Sequence, residues 1–254
     1  MVRKRPKRDT GKKPNTVFTP DNEPYLGRET VFAFDKLIIV CLESNTEIAS
    51  RTYKMDNMTD LQRAACQLIP QGLSISLSIR ELVRQGHLFG GLVLIRALAE
   101  RATTVLYLQR FPDEIVKWKR GWRYNERPSL HKMLDTISMG KFPGAAREFT
   151  QLYNSIMHGD PDSAMWNLVQ VSNGKLGHAV SKILKNPSLC DKVCLDAAIW
   201  LGVLLGMTNV IFPRGEEEKQ NSPIFDPSIK SMLTRAVQLV EESESIPLTQ
   251  DEAR

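Results

Sequence analysis

The sequence AAREFTQLYNSIMHGD, residues 145–160, predicts an amphipathic helix. At about 100° per residue, its apolar side chains share one side, and its polar side chains follow an i, i+4, i+7, i+11 spacing on the other. The apolar set is Phe149, Leu152, Tyr153, Ile156 and Met157, and the polar set is Arg147, Gln151, Asn154 and His158. Gly159 suits the left-handed residue that ends a helix, so we expect His158 in the last turn. By itself this pattern is typical of a solvated helix face with a surface histidine at its end.

A second stretch, LFGGLVLIRALAERATTVLYL at residues 88–108, is apolar on nearly every face and therefore predicts a helix enclosed by other helices. Its charged residues are Arg96, Glu100 and Arg101. Arg96 and Glu100 are i, i+4 neighbours and can pair. Because burying an unpaired charge is costly, the pair either locks two helices together or lines a cavity. We expect His158 to approach this pair.

Helical periodicity dominates the rest of the chain, and strand-like alternation is weak. Helices are predicted at residues 30–53, 61–85, 113–122 and 129–138, with Pro70 expected to kink or break the second of them. Asp-Pro or Asn-Pro pairs at residues 160–161, 186–187 and 226–227 predict three later helix starts. The expected architecture is an all-α bundle of about eight helices over residues 28–212, followed by a loop at 213–225, a helix at 226–244 and a tail at 245–254.

The positive charge is concentrated at the N-terminus. Residues 1–14, MVRKRPKRDTGKKP, carry seven Lys or Arg and one Asp. The whole chain has a net charge of +5, so the other residues together carry −1. Residues 1–27 are therefore predicted to be a disordered basic tail, which either contacts RNA and other acidic surfaces or keeps the protein soluble.

Cysteine usage and hydropathy predict a cytoplasmic protein. The cysteines, Cys41, Cys66, Cys190 and Cys194, lie in apolar helical patterns that indicate buried reduced thiols. No ligand spacing typical of zinc is visible, so we predict neither a metal nor a cofactor. Residues 197–212 are uncharged but shorter than the roughly 20 residues that span a bilayer, which favours a core helix. The N-terminus lacks the apolar segment of a signal peptide.

The segment KWKRGWRYNERP, residues 117–128, interleaves basic residues with aromatic rings. Cations for phosphates beside flat rings for bases are typical of a surface that binds single-stranded nucleic acid. Alternatively, the rings dock the segment onto the bundle while the charges stay in water. The predicted nucleic-acid-binding residues are Lys117, Lys119, Arg120, Trp122, Arg123 and, on the helix at 145–158, Arg147.

An R-x-x-x-E helix (Arg96 to Glu100) followed by a Tyr-Asn-Ser-x-x-His helix end (Tyr153 to His158) resembles the HEPN superfamily. It resembles more closely the bacterial HEPN-like helical proteins of unknown function, and the likeness covers about residues 86–160. Active members of the superfamily are typically dimeric, metal-independent endoribonucleases of toxin and phage-defence systems. Their histidine and arginine assist attack by a ribose 2′-hydroxyl on the adjacent phosphate. The resemblance implies an RNA target, a homodimer, and an antitoxin or defence-system partner.

The resemblance also implies a catalytic set. His158 takes the histidine position, Asn154 the polar position and Tyr153 the arginine position, with Arg96 and Glu100 on the neighbouring helix. Tyrosine cannot supply the fixed positive charge that stabilises a phosphorane-like transition state, so we expect weak or no cleavage by the isolated protein. The alternative is a non-catalytic helical interaction module in which Arg96, Glu100 and His158 are structural.

Overall fold

A computed structural model describes residues 23–53, 57–123, 125–138, 144–172, 174–179 and 182–213. Within this part the chain is helical apart from one hairpin, which confirms the predicted all-α class. The helices are α1 (Glu29–Thr52), α2 (Asp60–Gln85), α3 (Leu88–Arg110), α4 (Glu114–Lys119), α5 (Leu130–Ser138), α6 (Ala145–His158) and α7 (Pro187–Ile211). Residues 1–22 of the predicted tail, residues 214–225 of the predicted loop, the predicted helix 226–244 and the predicted tail 245–254 lie outside the described residues.

Helices α1, α2, α3 and α7 build the core. As predicted, α3 is enclosed, and its fully buried side chains include Leu88, Leu92, Ile95, Leu98 and Leu108. Among the described residues, α7 is long and apolar enough to cross a membrane by length and composition, but half of its most apolar stretch is buried in the bundle. It packs against α1, α2 and α3, as expected of a core helix.

Three core helices run in the same direction and α2 runs against them. Arg28 pairs with Asp191 at the start of α1 and α7, and Arg51 donates to the Pro213 carbonyl at their ends. A Cβ on Gly91 would meet Val193, which aligns the early turns of α3 with those of α7. Asp35 of α1 binds Arg80 near the end of α2, so these two helices are antiparallel.

Several helix starts follow local sequence rules. The Asn186 side chain accepts a hydrogen bond from the Leu189 N–H, which confirms the predicted start of α7. Ser129 likewise caps α5 by accepting from the Lys132 N–H. The prediction of a break at Pro70 is wrong, because α2 continues through it as one helix and its packing outweighs the lost hydrogen bond.

The segment after α6 differs from the predicted helix that begins at residues 160–161. Pro161–Asn167 forms a 3₁₀ helix, and strands β1 (Leu168–Ser172) and β2 (Lys175–His178) then pair antiparallel. The sequence places Asn173-Gly174 between the strands, and Gly174 has a φ of +73°. Asn-Gly between two short apolar runs is a strong hairpin signal, so this element was readable from the sequence.

The fold begins before the predicted boundary at residue 28. The Glu23 side chain is fully buried and forms a 2.7 Å ion pair with Arg80, which Asp35 also binds. The Tyr25 hydroxyl donates to the Ile183 carbonyl at 2.6 Å. These contacts hold the segment before α1 against the end of α2 and the residues that precede α7.

Candidate nucleic-acid-binding site

The helix that carries most of the predicted catalytic residues forms as the sequence indicates. α6 ends at His158, and Gly159 closes it in the left-handed region at a φ of +70°. Tyr153 and Ile156 are buried, whereas the polar stripe is largely exposed at Arg147, Gln151 and His158. Met157, predicted on the apolar side, is 49% exposed and therefore lies at the edge of that side.

Tyr153, which takes the arginine position of the resemblance, lies in the core. It is 1% exposed, and its hydroxyl donates to Asp196 of α7. The Lys192 ammonium lies 3.1 Å from the same carboxylate. Burial, and then the charge of Asp196, raise the pKa of Tyr153 well above its ordinary value. The residue is therefore a neutral phenol that joins α6 to α7, and a phosphate in solvent cannot reach it.

Arg96 and Glu100 form the predicted i, i+4 pair, with Arg96 Nε 3.3 Å from Glu100 Oε1. Glu100 Oε2 also lies 3.7 Å from Arg101 Nη1 and 3.9 Å from Arg127 Nη2. Arg96 Nη1 is buried and lacks a hydrogen-bond partner among the described residues. One carboxylate therefore serves three guanidinium groups through long contacts, which leaves an excess of two positive charges.

The described contacts do not join His158 to the Arg96/Glu100 pair. Phe149 packs on Trp200 at 5.2 Å between ring centroids, and Tyr153 binds Asp196, so α6 runs antiparallel to α7. His158 is therefore level with the beginning of α7. By helical rise, it lies roughly 10–14 Å along the bundle from Arg96 and farther from Glu100. Asn154 is half-buried, and its Oδ1 has no described partner.

The structure instead joins Glu100 to the basic aromatic segment. A pocket of about 240 Å³ is lined by Glu100 and Arg101 of α3, Trp118 of α4, and Trp122 and Arg127 of the following turn. We call it the tryptophan–arginine pocket. Leu68, Gln71, Thr104 and Gly121 complete its wall. Trp118, Arg101 and Arg127 were not among the predicted site residues, although Trp118 and Arg127 belong to the quoted segment.

Local backbone geometry explains why both indoles line one pocket. Gly121 follows α4 in the left-handed region at a φ of +84°. Its N–H bonds the Trp118 carbonyl at 2.8 Å, and the Trp122 N–H bonds the Lys117 carbonyl at 2.9 Å. This pair of bonds is the Schellman motif, which returns the chain toward its own helix. Trp122 follows at an unusual φ of +32°, a conformation that persists only when its surroundings hold it, and both indoles line the pocket.

The remaining predicted basic residues are largely compensated. Carboxylates pair with three of them, at 2.5 Å for Lys117–Glu114, 3.0 Å for Lys119–Asp60 and 2.7 Å for Arg120–Glu126. Arg123 and Arg147 are exposed. Exposed pairs of this kind contribute little stability and can exchange partners, so these groups remain accessible to a phosphate without forming a dedicated site.

The four cysteines are free thiols, and Cys41, Cys190 and Cys194 are buried. Among the described residues, no group of three or more His, Cys, Asp or Glu side chains could hold a metal ion.

Comparison of the chain with protein-family models, curated proteins and solved structures gives no match. The candidate site therefore stands on its own geometry.

Proposed function

We propose that this protein is a cytoplasmic, HEPN-like protein that binds single-stranded RNA through the tryptophan–arginine pocket without cleaving it. One observation carries the proposal: two indoles line a pocket that also holds Arg101 and Arg127 with a single carboxylate, Glu100. Aromatic faces stack on bases of any sequence, and uncompensated guanidinium groups attract phosphates.

The polar groups of the pocket fit one nucleotide. The Trp122 Nε1–H is buried and has no described partner. Gln71 and Thr104 supply further hydrogen-bonding groups from the facing helices. Arg127, whose side chain is 63% exposed, reaches outward from the pocket toward a phosphate. A nucleotide would bind with its base stacked on an indole and its phosphate on Arg127.

The direct test is the affinity for a fluorescently labelled single-stranded RNA, measured by anisotropy for matched variants. Trp122→Ala is expected to weaken binding roughly 5- to 150-fold, the range of one lost stacking contact. Arg127→Gln is expected to weaken it about 10-fold, because a phosphate contact is lost. Arg84→Gln is the matched control, since Arg84 belongs to a surface pair with Glu81 roughly 20 Å of helical rise from Gln71.

Thermal unfolding of each variant separates lost binding from lost folding. Equal affinities for the wild type, Trp122→Ala and Arg127→Gln would contradict the proposal, provided that all three unfold cooperatively. So would an Arg84→Gln variant that loses as much affinity as Arg127→Gln.

Buried Tyr153 and distant His158 support binding without cleavage. Attack by a 2′-hydroxyl needs a proton-transfer group and a cation at the same phosphate, and the described contacts bring His158 to no arginine. A homodimer could supply the missing cation across a two-fold axis. Dimerisation and binding of an antitoxin or defence-system partner stay predictions. We expect the isolated protein not to cleave RNA in a buffer that contains EDTA, which removes metal ions. Cleavage by the wild type that is lost in His158→Ala would establish the catalytic alternative.

A further inference from the structure

A second and larger pocket lies beside the C-terminal half of α6. Its volume is about 490 Å³, within the range of roughly 300–1,000 Å³ that small-molecule sites occupy. It is bounded by α6, the 3₁₀ helix and the first turns of α7, and it shares no lining residue with the tryptophan–arginine pocket. We call it the α6–α7 pocket.

Most of the α6–α7 pocket is apolar. Its apolar lining comes from Leu152 of α6, Leu189 of α7, and Met165 and Trp166 of the 3₁₀ helix. Met165 is 69% exposed, although an apolar side chain gains nothing from contact with water. An apolar ligand body would cover these side chains.

One charged residue of the described chain lines the pocket, Lys192. Its partner Asp196 lies 3.1 Å away, does not line the pocket, and also accepts from Tyr153. A lysine has three N–H donors, so the single bond to Asp196 holds the ammonium in position and leaves donors for a ligand. The hydroxyl of Ser188 lies on the same face of the pocket, two residues inside the start of α7.

We propose that the α6–α7 pocket binds a small amphiphilic anion, an aromatic or alkyl body with one carboxylate or sulfonate end. The apolar walls take the body, and Lys192 with Ser188 takes the anionic end. No acidic residue among those described lines the pocket, and the Asp196 carboxylate that pairs with Lys192 also accepts from the Tyr153 hydroxyl, so the pocket favours an anionic over a cationic end.

The test uses a matched pair of fluorescent probes on the full chain. 8-Anilinonaphthalene-1-sulfonate carries an anionic end, and N-phenyl-1-naphthylamine has the same ring system without the charge. We expect the sulfonate to bind at one saturable site per chain and to raise the midpoint of cooperative thermal unfolding. Dodecanoate and 1-naphthoate, added as competitors, show whether an alkyl or an aromatic body fits better.

Substitutions at Ser188 test the charge without disturbing the Lys192–Asp196 pair. Ser188 is exposed in the first turn of α7, where an acidic residue favours the helix, so Ser188→Glu should fold normally. We expect Ser188→Glu to weaken the sulfonate about 10-fold and to leave the uncharged probe unchanged. Ser188→Gln, which matches Glu in size but adds no charge, should weaken the sulfonate far less than Ser188→Glu does. Lys185→Met serves as a control for an exposed lysine outside the pocket.

Three results would overturn the proposal: no saturable binding of the sulfonate, equal responses of both probes to Ser188→Glu, or binding that grows only as thermal unfolding begins. None of them depends on RNA binding, so this proposal and the proposed function fail separately.

Discussion

Glu100 sets the charge of the tryptophan–arginine pocket. Its half-buried carboxylate holds Arg96 at 3.3 Å and lies within 4 Å of Arg101 and Arg127. The three guanidinium groups lie close together because the Glu100 carboxylate partly offsets their repulsion. Since their contacts with Glu100 are long, they remain available to bind a phosphate. The same residue therefore serves the fold and the site.

We expect Glu100→Ala to destabilise the fold more than Arg101→Ala. Removing Glu100 leaves Arg96, whose Nη1 is already buried without a described partner, close to two other cations. The expected cost is roughly 1–3 kcal/mol. Arg101 also bonds the Ala97 carbonyl and is 34% exposed, so its loss should cost less than about 1 kcal/mol. Urea unfolding of both variants measures the difference, and equal midpoints would show that Arg96 does not depend on Glu100.

Cys41 gives the fold a dependence on alkaline pH. Burial raises the pKa of this thiol from 9.0 to about 12, so the folded state keeps the proton that the unfolded state loses. The contribution is complete below pH 9 and is lost as the pH rises toward 12. Between pH 8 and 10.5 the wild type should lose about 2 kcal/mol through this group.

Cys41→Ala should remove this part of the pH dependence, whatever its effect on stability at pH 8. Cys66→Ala is the comparison, because Cys66 is only partly buried and the same burial effect on its pKa is smaller. Denaturant unfolding under reducing conditions at the two pH values gives both differences. An unchanged pH dependence in Cys41→Ala would show that the thiol is not buried.

At the scale of elements, the turn after α4 has the clearest functional consequence. Gly121 is the left-handed residue of a Schellman motif, and the motif returns the chain so that Trp122 lines the same pocket as Trp118. The pocket therefore depends on a backbone conformation that a side chain at position 121 disfavours.

Gly121→Ala should cost roughly 1–2 kcal/mol of stability and weaken RNA binding in parallel, because the strained turn moves Trp122. No atom lies within 4 Å of the added Cβ, so the effect would come from the backbone alone. Gly202→Ala is the matched control, since position 202 is open space within α7 and alanine favours a helix by about 1 kcal/mol. RNA affinity that stays unchanged in a folded Gly121→Ala variant would separate the turn from binding.

Local signals in the sequence predicted the helices well but did not predict which faces meet. Asn186, Ser129 and Gly159 mark helix ends through contacts a few residues away, so their roles were readable. The hairpin at 168–178 also has its Asn-Gly signal, but strands of five and four residues show too little alternation to stand out in a helical sequence. Tyr153 meets Asp196, 43 residues later, and such a pairing depends on how α6 packs on α7. The grouping of Glu100 with Trp122, rather than with His158, is tertiary for the same reason.

At the scale of the whole molecule, positive charge is divided between the N-terminal segment of the sequence and a small pocket. Residues 1–14 carry a net +6, while the rest of the chain is nearly neutral and three of the basic residues of segment 117–128 are paired with carboxylates. We expect the N-terminal segment to contribute RNA affinity without sequence specificity. We expect the tryptophan–arginine pocket to fix where one nucleotide of the RNA binds.

Deleting residues 1–14 should reduce the salt dependence of RNA binding more than any substitution in the pocket. Each phosphate contact on a single strand contributes roughly 0.7 to the slope of log K against log salt, so six charges contribute up to about 4. Arg127→Gln should change the slope by less than about 1. Anisotropy titrations between 50 and 300 mM salt measure both slopes, and an unchanged slope in the deletion variant would exclude the N-terminal segment from binding.

The most direct test of nucleotide binding in the tryptophan–arginine pocket is the quenching of tryptophan fluorescence by single-stranded RNA in two double variants. The chain has four tryptophans, so Trp166→Phe/Trp200→Phe keeps only the pair that lines the pocket, and Trp118→Phe/Trp122→Phe keeps only the other pair. If a base stacks in the pocket, RNA quenches the first variant with the affinity that anisotropy reports and leaves the second nearly unchanged. Quenching confined to the second variant, or absent from both while anisotropy still reports binding, would place the RNA elsewhere on the protein.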